Sequence, residues 1–225
     1  MAGENLVRPK GFKAKIQNFW YHYKYHSIVF LLAVVTLAVS IAQCATKPDY
    51  DYKIIVATRS MTLSSIQLDA VQKELKQYGE DLNGDGEVNI LLVDCTMDSN
   101  QSDFQTAYGK QQKLQVLLMG DPEAMLFLTD KSCLKWINSL NEETQFIDNL
   151  GLPDNDGKGF CVGNTHIIQK PKAEVKAELN LRWPEDLSIC CRKIDGTTFE
   201  KNEDADQSKR EALEFIARIV KSNTK

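Results

Sequence analysis

Residues 81–89, Asp81-Leu82-Asn83-Gly84-Asp85-Gly86-Glu87-Val88-Asn89, carry the clearest chemistry in the chain. Hard oxygen donors stand at alternate positions, which is the spacing that lets a short loop wrap one calcium ion. Gly86, sixth in the run, permits a sharp turn, and Val88, eighth, anchors the loop to a core. In this reading Asp81, Asn83 and Asp85 offer side-chain oxygens and Glu87 its backbone carbonyl. Asn89 offers a direct or water-mediated contact. The same Asn-Gly-Asp-Gly stretch is also strong turn chemistry without any metal. Asp154-Asn155-Asp156-Gly157 lacks the continuation and reads as loop.

The run resembles the first nine positions of the EF-hand and dockerin calcium loops. That resemblance implies a structural calcium site of submillimolar to millimolar affinity, with no signalling role attached. Those loops place a bidentate acid at the twelfth position, where this chain has Leu92. Asp94 is the candidate substitute if the loop exits into a strand. Catalytic groups are sparse by comparison. Ser132-Cys133-Leu134-Lys135 has the Ser-x-x-Lys spacing of penicillin-recognising enzymes but not their Ser-Asp-Asn and Lys-Thr-Gly companions. With 12 serines and 21 lysines, about one such match arises by chance. His166 is the single histidine after the apolar segment described below, and it falls in an expected strand. His22 and His26 stand at helical spacing with no third ligand near and read as interfacial polar residues. No catalytic residue is assigned. No Walker or Gly-x-Gly-x-x-Gly loop follows a strand.

The elements around these residues follow from periodicity. Tyr52–Thr58, Asn89–Asp94 and Ala124–Leu128 are short strand runs rich in apolar residues. Between them, Leu68, Val71, Leu75 and Tyr78 define one helical face, with Ser64 or Ser65 as cap, and Phe104–Met119 a second helix with Tyr108, Leu114, Leu117 and Leu118 inward. A third helix spans Ser132–Leu140, residues 149–164 read as loop, and Val162–Gln169 and Asp186–Lys193 as further strands. Glu203–Lys221 closes as an amphipathic helix with Leu213, Ile216, Ala217 and Val220 inward. Alternation of strand and helix predicts a single mainly parallel α/β three-layer domain over residues 52–225. Five cysteines lie in it, none at Cys-x-x-Cys spacing, so zinc and dithiol chemistry have no support. Adjacent Cys190 and Cys191 on a strand face opposite sides, with at most one in the core. The odd number implies an unpaired thiol or a bridge to another chain.

Charge is divided along the chain. Residues 27–46, SIVFLLAVVTLAVSIAQCAT, contain no charge and are long enough for a transmembrane helix. Residues 1–26 form a basic aromatic tail of net +4, and the remainder carries 22 basic and 30 acidic residues, net -8. The five rings of Phe19-Trp20-Tyr21-His22-Tyr23-Lys24-Tyr25 suit the headgroup zone, and the basic flank predicts a cytoplasmic N-terminus. The outer domain then follows a linker over residues 47–51. Residues 1–26 and 27–46 exceed the usual lengths of signal-peptide n- and h-regions, which favours an uncleaved anchor over cleavage near Ala42-Gln43-Cys44. Gln43 departs from the small residue a lipobox requires. Acidic charge outside argues against nucleic acid as a partner.

Two wider resemblances follow. Residues 113–130, KLQVLLMGDPEAMLFLTD, sit within a stretch over roughly 52–140 that resembles the first lobe of type 2 extracellular solute-binding proteins, where a helix ends in Gly-Asp before a strand. Residues 19–26, FWYHYKYH, ahead of the span resemble uncharacterised single-span membrane proteins of Firmicutes. Together they imply a membrane-anchored extracytoplasmic domain that binds a ligand or a protein, with the bilayer and an envelope protein or small molecule as partners. Solute binding beside a transporter is one alternative, and a cell-envelope hydrolase using Ser132 with Lys135, or His166, is another. A solute-binding protein closes two lobes over its ligand, and this sequence matches one.

Overall fold

The computed structural model describes residues 11–45, 49–98, 104–141, 145–175 and 181–223. The chain divides into two units, Met1–Pro48 and Asp49–Lys225.

The first unit holds one helix, α1 (Phe12–Ala45). Its 34 residues measure about 50 Å at the α-helical rise. Phe19–Ile41 is long and apolar enough to cross a membrane, and none of it is buried in the protein. The aromatic stretch therefore continues the same helix as the apolar one. Thr36 and Ser40 donate their hydroxyls to the carbonyls of Leu32 and Thr36, which satisfies them without a partner helix.

The second unit is mixed α/β. Its strands are β1 (Tyr52–Ala57), β2 (Ile90–Asp94), β3 (Leu126–Thr129), β4 (Gly159–Cys161) and β5 (Ser188–Cys191). Its helices are α2 (Ser65–Leu75), α3 (Phe104–Gly120), α4 (Lys131–Ser139), α5 (His166–Val175) and α6 (Glu203–Asn223). The strands form one sheet in the order β2-β1-β3-β5-β4. β1 pairs parallel with β2 and β3, whereas β5 pairs antiparallel with β3 and β4. The expected mainly parallel sheet is thus parallel in its first half and antiparallel in its second. β5, which follows α5 in the chain, runs opposite to both of its neighbours.

Both sheet faces are buried. Ile54 and Val56 of β1 join a core with Val71 and Leu75 of α2, Ile167 and Ile168 of α5, and Phe215 and Ile219 of α6. Ile55 and Ala57 join a second core with Leu114 and Leu118 of α3 and Cys133, Leu134 and Ile137 of α4. The period-2 alternation of a strand puts successive residues into different cores. Cys190 and Cys191 obey it, one in each cluster, and both are buried. The expectation that only one could enter the core fails because the sheet has no solvent face.

Three further readings are corrected. Residues 162–169 are not a strand: Val162 extends the pairing by donating to Leu187, and Gly163-Asn164-Thr165 then turns into α5, with Thr165 accepting from Ile168 and Gln169. Consecutive Ile167 and Ile168 are both buried in the core that α5 shares with α2 and with Phe160 of β4. Gly163 is needed at that turn, since a Cβ there would overlap the backbone carbonyl of Glu185. Tyr108 and Ala217 point outward, and Ala212, Phe215 and Ile219 take the inward face of α6 beside Ile216. The span 149–164, expected to be loop throughout, contains β4 and a short 3-10 turn at Asn155–Gly157.

Candidate functional site

The Asp-Gly loop connects a 3-10 turn (Lys76–Tyr78) to β2. Gly84 and Gly86 have φ of +76° and +90°, the left-handed region that glycine adopts freely. Asp81 accepts from the backbone N–H groups of Gly84 (2.6 Å), Asp85 (3.2 Å) and Gly86 (2.8 Å). Asn83 Oδ1 accepts from Asp85 N, and Asp85 Oδ1 accepts from Glu87 N, each at 2.8 Å. The amides of Asn83 and Asn89 both donate to Asp85 Oδ2, at 3.2 and 3.3 Å. The sequence therefore brings Asn83, Asp85 and Asn89 together around one carboxylate oxygen, with Asp81 closing the turn behind them. Glu87 is exposed and contributes its N–H to Asp85. Among the described residues, no three acidic, histidine or cysteine side chains converge, so any cation here would depend on the two amides.

The substitute for the missing twelfth-position acid is not Asp94. That residue ends β2, four positions beyond Ile90, and its carboxylate takes Lys110 Nζ (2.8 Å), Thr96 N (2.8 Å) and Thr96 Oγ1 (2.7 Å). Burial works to raise its pKa, but Lys110 and the Thr96 donors outweigh it and hold the carboxyl below its ordinary value. The acid that meets the loop is Asp51, which composition and spacing did not single out. Its Oδ1 accepts from Leu82 N (2.7 Å) and Asn83 N (3.1 Å), and its Oδ2 from Asn89 N (2.6 Å). Burial again opposes, and the N–H groups of Asn89, Leu82 and Asn83 win, so this carboxyl too lies below its usual range. Asp51 reaches the loop because Tyr52 pairs with Ile90 in the parallel ladder. Only that register places it there.

A second constellation stands at the carboxyl ends of β1 and β3. From β1 the chain runs outward to β2, and from β3 it runs the other way toward β5 and β4. Open α/β sheets form a crevice at such a reversal. Here Asp130, fully buried, ties the two strand ends together. Its Oδ2 accepts from Arg59 N (2.9 Å), Ser60 N (2.8 Å) and Ser60 Oγ (2.6 Å). Its Oδ1 caps α4 by accepting from Cys133 N at 2.6 Å. Lys131 N donates to Asp186 at 3.1 Å. The first turn of α4 thus receives two carboxylates of the protein itself, where a helix start would otherwise attract an anion. The Arg59 guanidinium lies over the Trp136 ring, 5.1 Å from its centroid, and both side chains are partly exposed.

Ser132 and Lys135 are exposed on α4, and His166 opens α5 as an exposed residue, not the strand histidine expected. Five cysteines are free thiols. Burial pushes Cys95 up to about 11 and Cys133, Cys190 and Cys191 up to about 12, so these four stay protonated and unreactive at neutral pH. Cys161 is partly exposed, with its thiol 3.6 Å from the carbonyl of Glu185. The side chain of Cys44 lies outside the described residues. No protein-family model, curated protein or solved structure matches this chain.

Proposed function

We propose that the chain is a single-pass membrane protein whose N-terminus is cytoplasmic and whose α/β domain stands outside, binding a ligand or a protein without catalysing a reaction. The observation that carries the binding role is the partly exposed Arg59–Trp136 pair beside the sheet reversal, where the buried Asp130 ties the ends of β1 and β3 together. An aromatic face with a guanidinium beside it suits recognition, since both are enriched in the anchoring positions of interfaces. In this reading α2, α5 and α6 cover one sheet face and α3 and α4 the other, giving three layers. The anchor rests on the apolar Phe19–Ile41 helix, and the orientation on the basic residues that precede it.

A structural calcium ion in the loop of Asp81, Asn83, Asp85, Glu87 and Asn89 forms part of the proposal. Its support is the hard oxygen set and the two left-handed glycines. Solute binding as an accessory to a transporter is the second reading, favoured by the sheet reversal between β1 and β3, the place where open α/β sheets bind ligands.

The binding role is tested by a thermal-shift screen of the full chain in micelles against amino acids, short peptides and sugars. A compound that raises the melting temperature of the parent, and not of Trp136→Ala, supports binding at this pair. Shifts that survive in Trp136→Ala place the binding elsewhere. Hydrolysis of an envelope substrate that is abolished by alanine at Ser132, Lys135 or His166 contradicts the non-catalytic reading.

A further inference from the structure

α3 buries Leu114 and Leu118 in the second core and leaves an adjoining flank bare. On that face Phe104, Tyr108, Val116 and Met119 are 77%, 53%, 67% and 59% exposed. Phe104 and Tyr108 stack one turn apart, with centroids 6.1 Å apart and ring planes 18° from parallel. The stripe carries no charge: the helix has no acidic residue, and its two lysines both reach Asp94, Lys110 at the carboxylate and Lys113 at the carbonyl.

We propose that this face is an isologous interface between two copies of the chain, with the two α3 helices antiparallel and Gln112 at the two-fold axis. The spacing of the stripe supplies the argument. Its apolar residues stand eight and four positions before Gln112 and four and seven after it. In an antiparallel pair about Gln112, Tyr108 of one copy meets Val116 of the other, and Phe104 meets Met119. A two-fold contact requires such self-complementarity, because each patch must match itself reversed. The two Gln112 amides meet and exchange hydrogen bonds, and exposed Gly109, with open space around it, lets the backbones approach.

Charge and area agree with this occupant. The residues after the span carry a net -8, so two copies repel except where acid is absent, and α3 is such a face. The four apolar side chains with their flanking glutamines amount to roughly 500–600 Å² per copy, or about 1,100 Å² for the pair, the floor of a specific contact.

Cysteine cross-linking of the full chain in lipid vesicles tests the proposal, with the parent chain as background. Gln112→Cys is expected to raise the oxidised dimer several-fold above the parent. Phe104→Cys is expected to stay at the parent level, because two residues eight positions from the axis lie about 24 Å apart. Adding Val116→Glu to Gln112→Cys sets a carboxylate in the apolar contact and returns the yield to the parent level. Val116 is exposed, so that change leaves the core untouched. Equal cross-linking at 104 and 112 indicates a parallel pair, and no gain at 112 indicates another occupant, such as lipid. Either result overturns the proposal.

Discussion

At the scale of single residues, buried polar groups hold the domain together. Asp130 joins β1, β3 and α4 by accepting four hydrogen bonds, and alanine there leaves three backbone N–H groups without an acceptor. Asp130→Ala is therefore expected to cost about 3 kcal/mol, a fall in melting temperature of roughly 6–12 °C for a domain of this size. A calorimetric melt measures it. Arg192 is the other keystone: its guanidinium donates to the carbonyls of Leu117, Leu118 and Asp121 at the end of α3 and stacks on Phe199. Burial lowers its pKa to about 10, and at neutral pH it remains the cation that the C-terminal dipole of α3 favours. Asp94 gives the domain a pH dependence. Its folded pKa is depressed, so its contribution is present above about pH 3.9 and lost as the pH falls through the lower folded value. Lys110→Met should lower stability at pH 7, with the difference from the parent lost in acid once the Asp94 carboxyl is protonated. Urea titrations at neutral and acid pH check the sign.

At the scale of elements, what could be read in advance depended on whether the signal was local. β1, α2 with its Ser64 cap, β2, α3 and α4 follow from apolar spacing and capping residues a few positions apart, and they stand where the pattern puts them. Residues 162–169 read as strand because Ile167 and Ile168 are β-branched neighbours, while the turn that starts α5 is set by Gly163 crossing Glu185, a contact 22 residues distant. β4 has three residues and no periodicity of its own, so pairing with β5 defines it. The candidate loop divides in the same way. Its internal ligands were legible as a run, whereas Asp51 enters through the pairing of two strands 38 residues apart. That arrangement makes the loop and β1 one mechanical unit. Ten millimolar calcium acting on a site of about 1 mM affinity adds about 1.4 kcal/mol, or a rise of about 3–5 °C in melting temperature. Asp81→Ala should abolish that rise, and Asp51→Ala should lower the melting temperature with or without calcium. No rise in the parent at millimolar calcium removes the metal from the account.

At the scale of the whole molecule, averages conceal the organisation. A net charge of -4 and a mean hydropathy of -0.34 describe an ordinary soluble chain. The same residues, taken in order, give a basic segment of +4, an uncharged span and an acidic domain of -8. One 34-residue helix that carries the apolar Phe19–Ile41 stretch and a separate α/β unit with two buried cores accompany that division. The cysteines supply a probe of where the unit sits. Four of its thiols are sealed in the cores at raised pKa, and Cys161 is partly exposed. The direct measurement is labelling of intact cells with a membrane-impermeant maleimide, read at Cys161 by peptide mass spectrometry, with natively lysed cells as control. The account predicts that Cys161 is labelled before lysis, on a chain that sediments with membranes at its full 25.5 kDa. Labelling that appears only after lysis would contradict it.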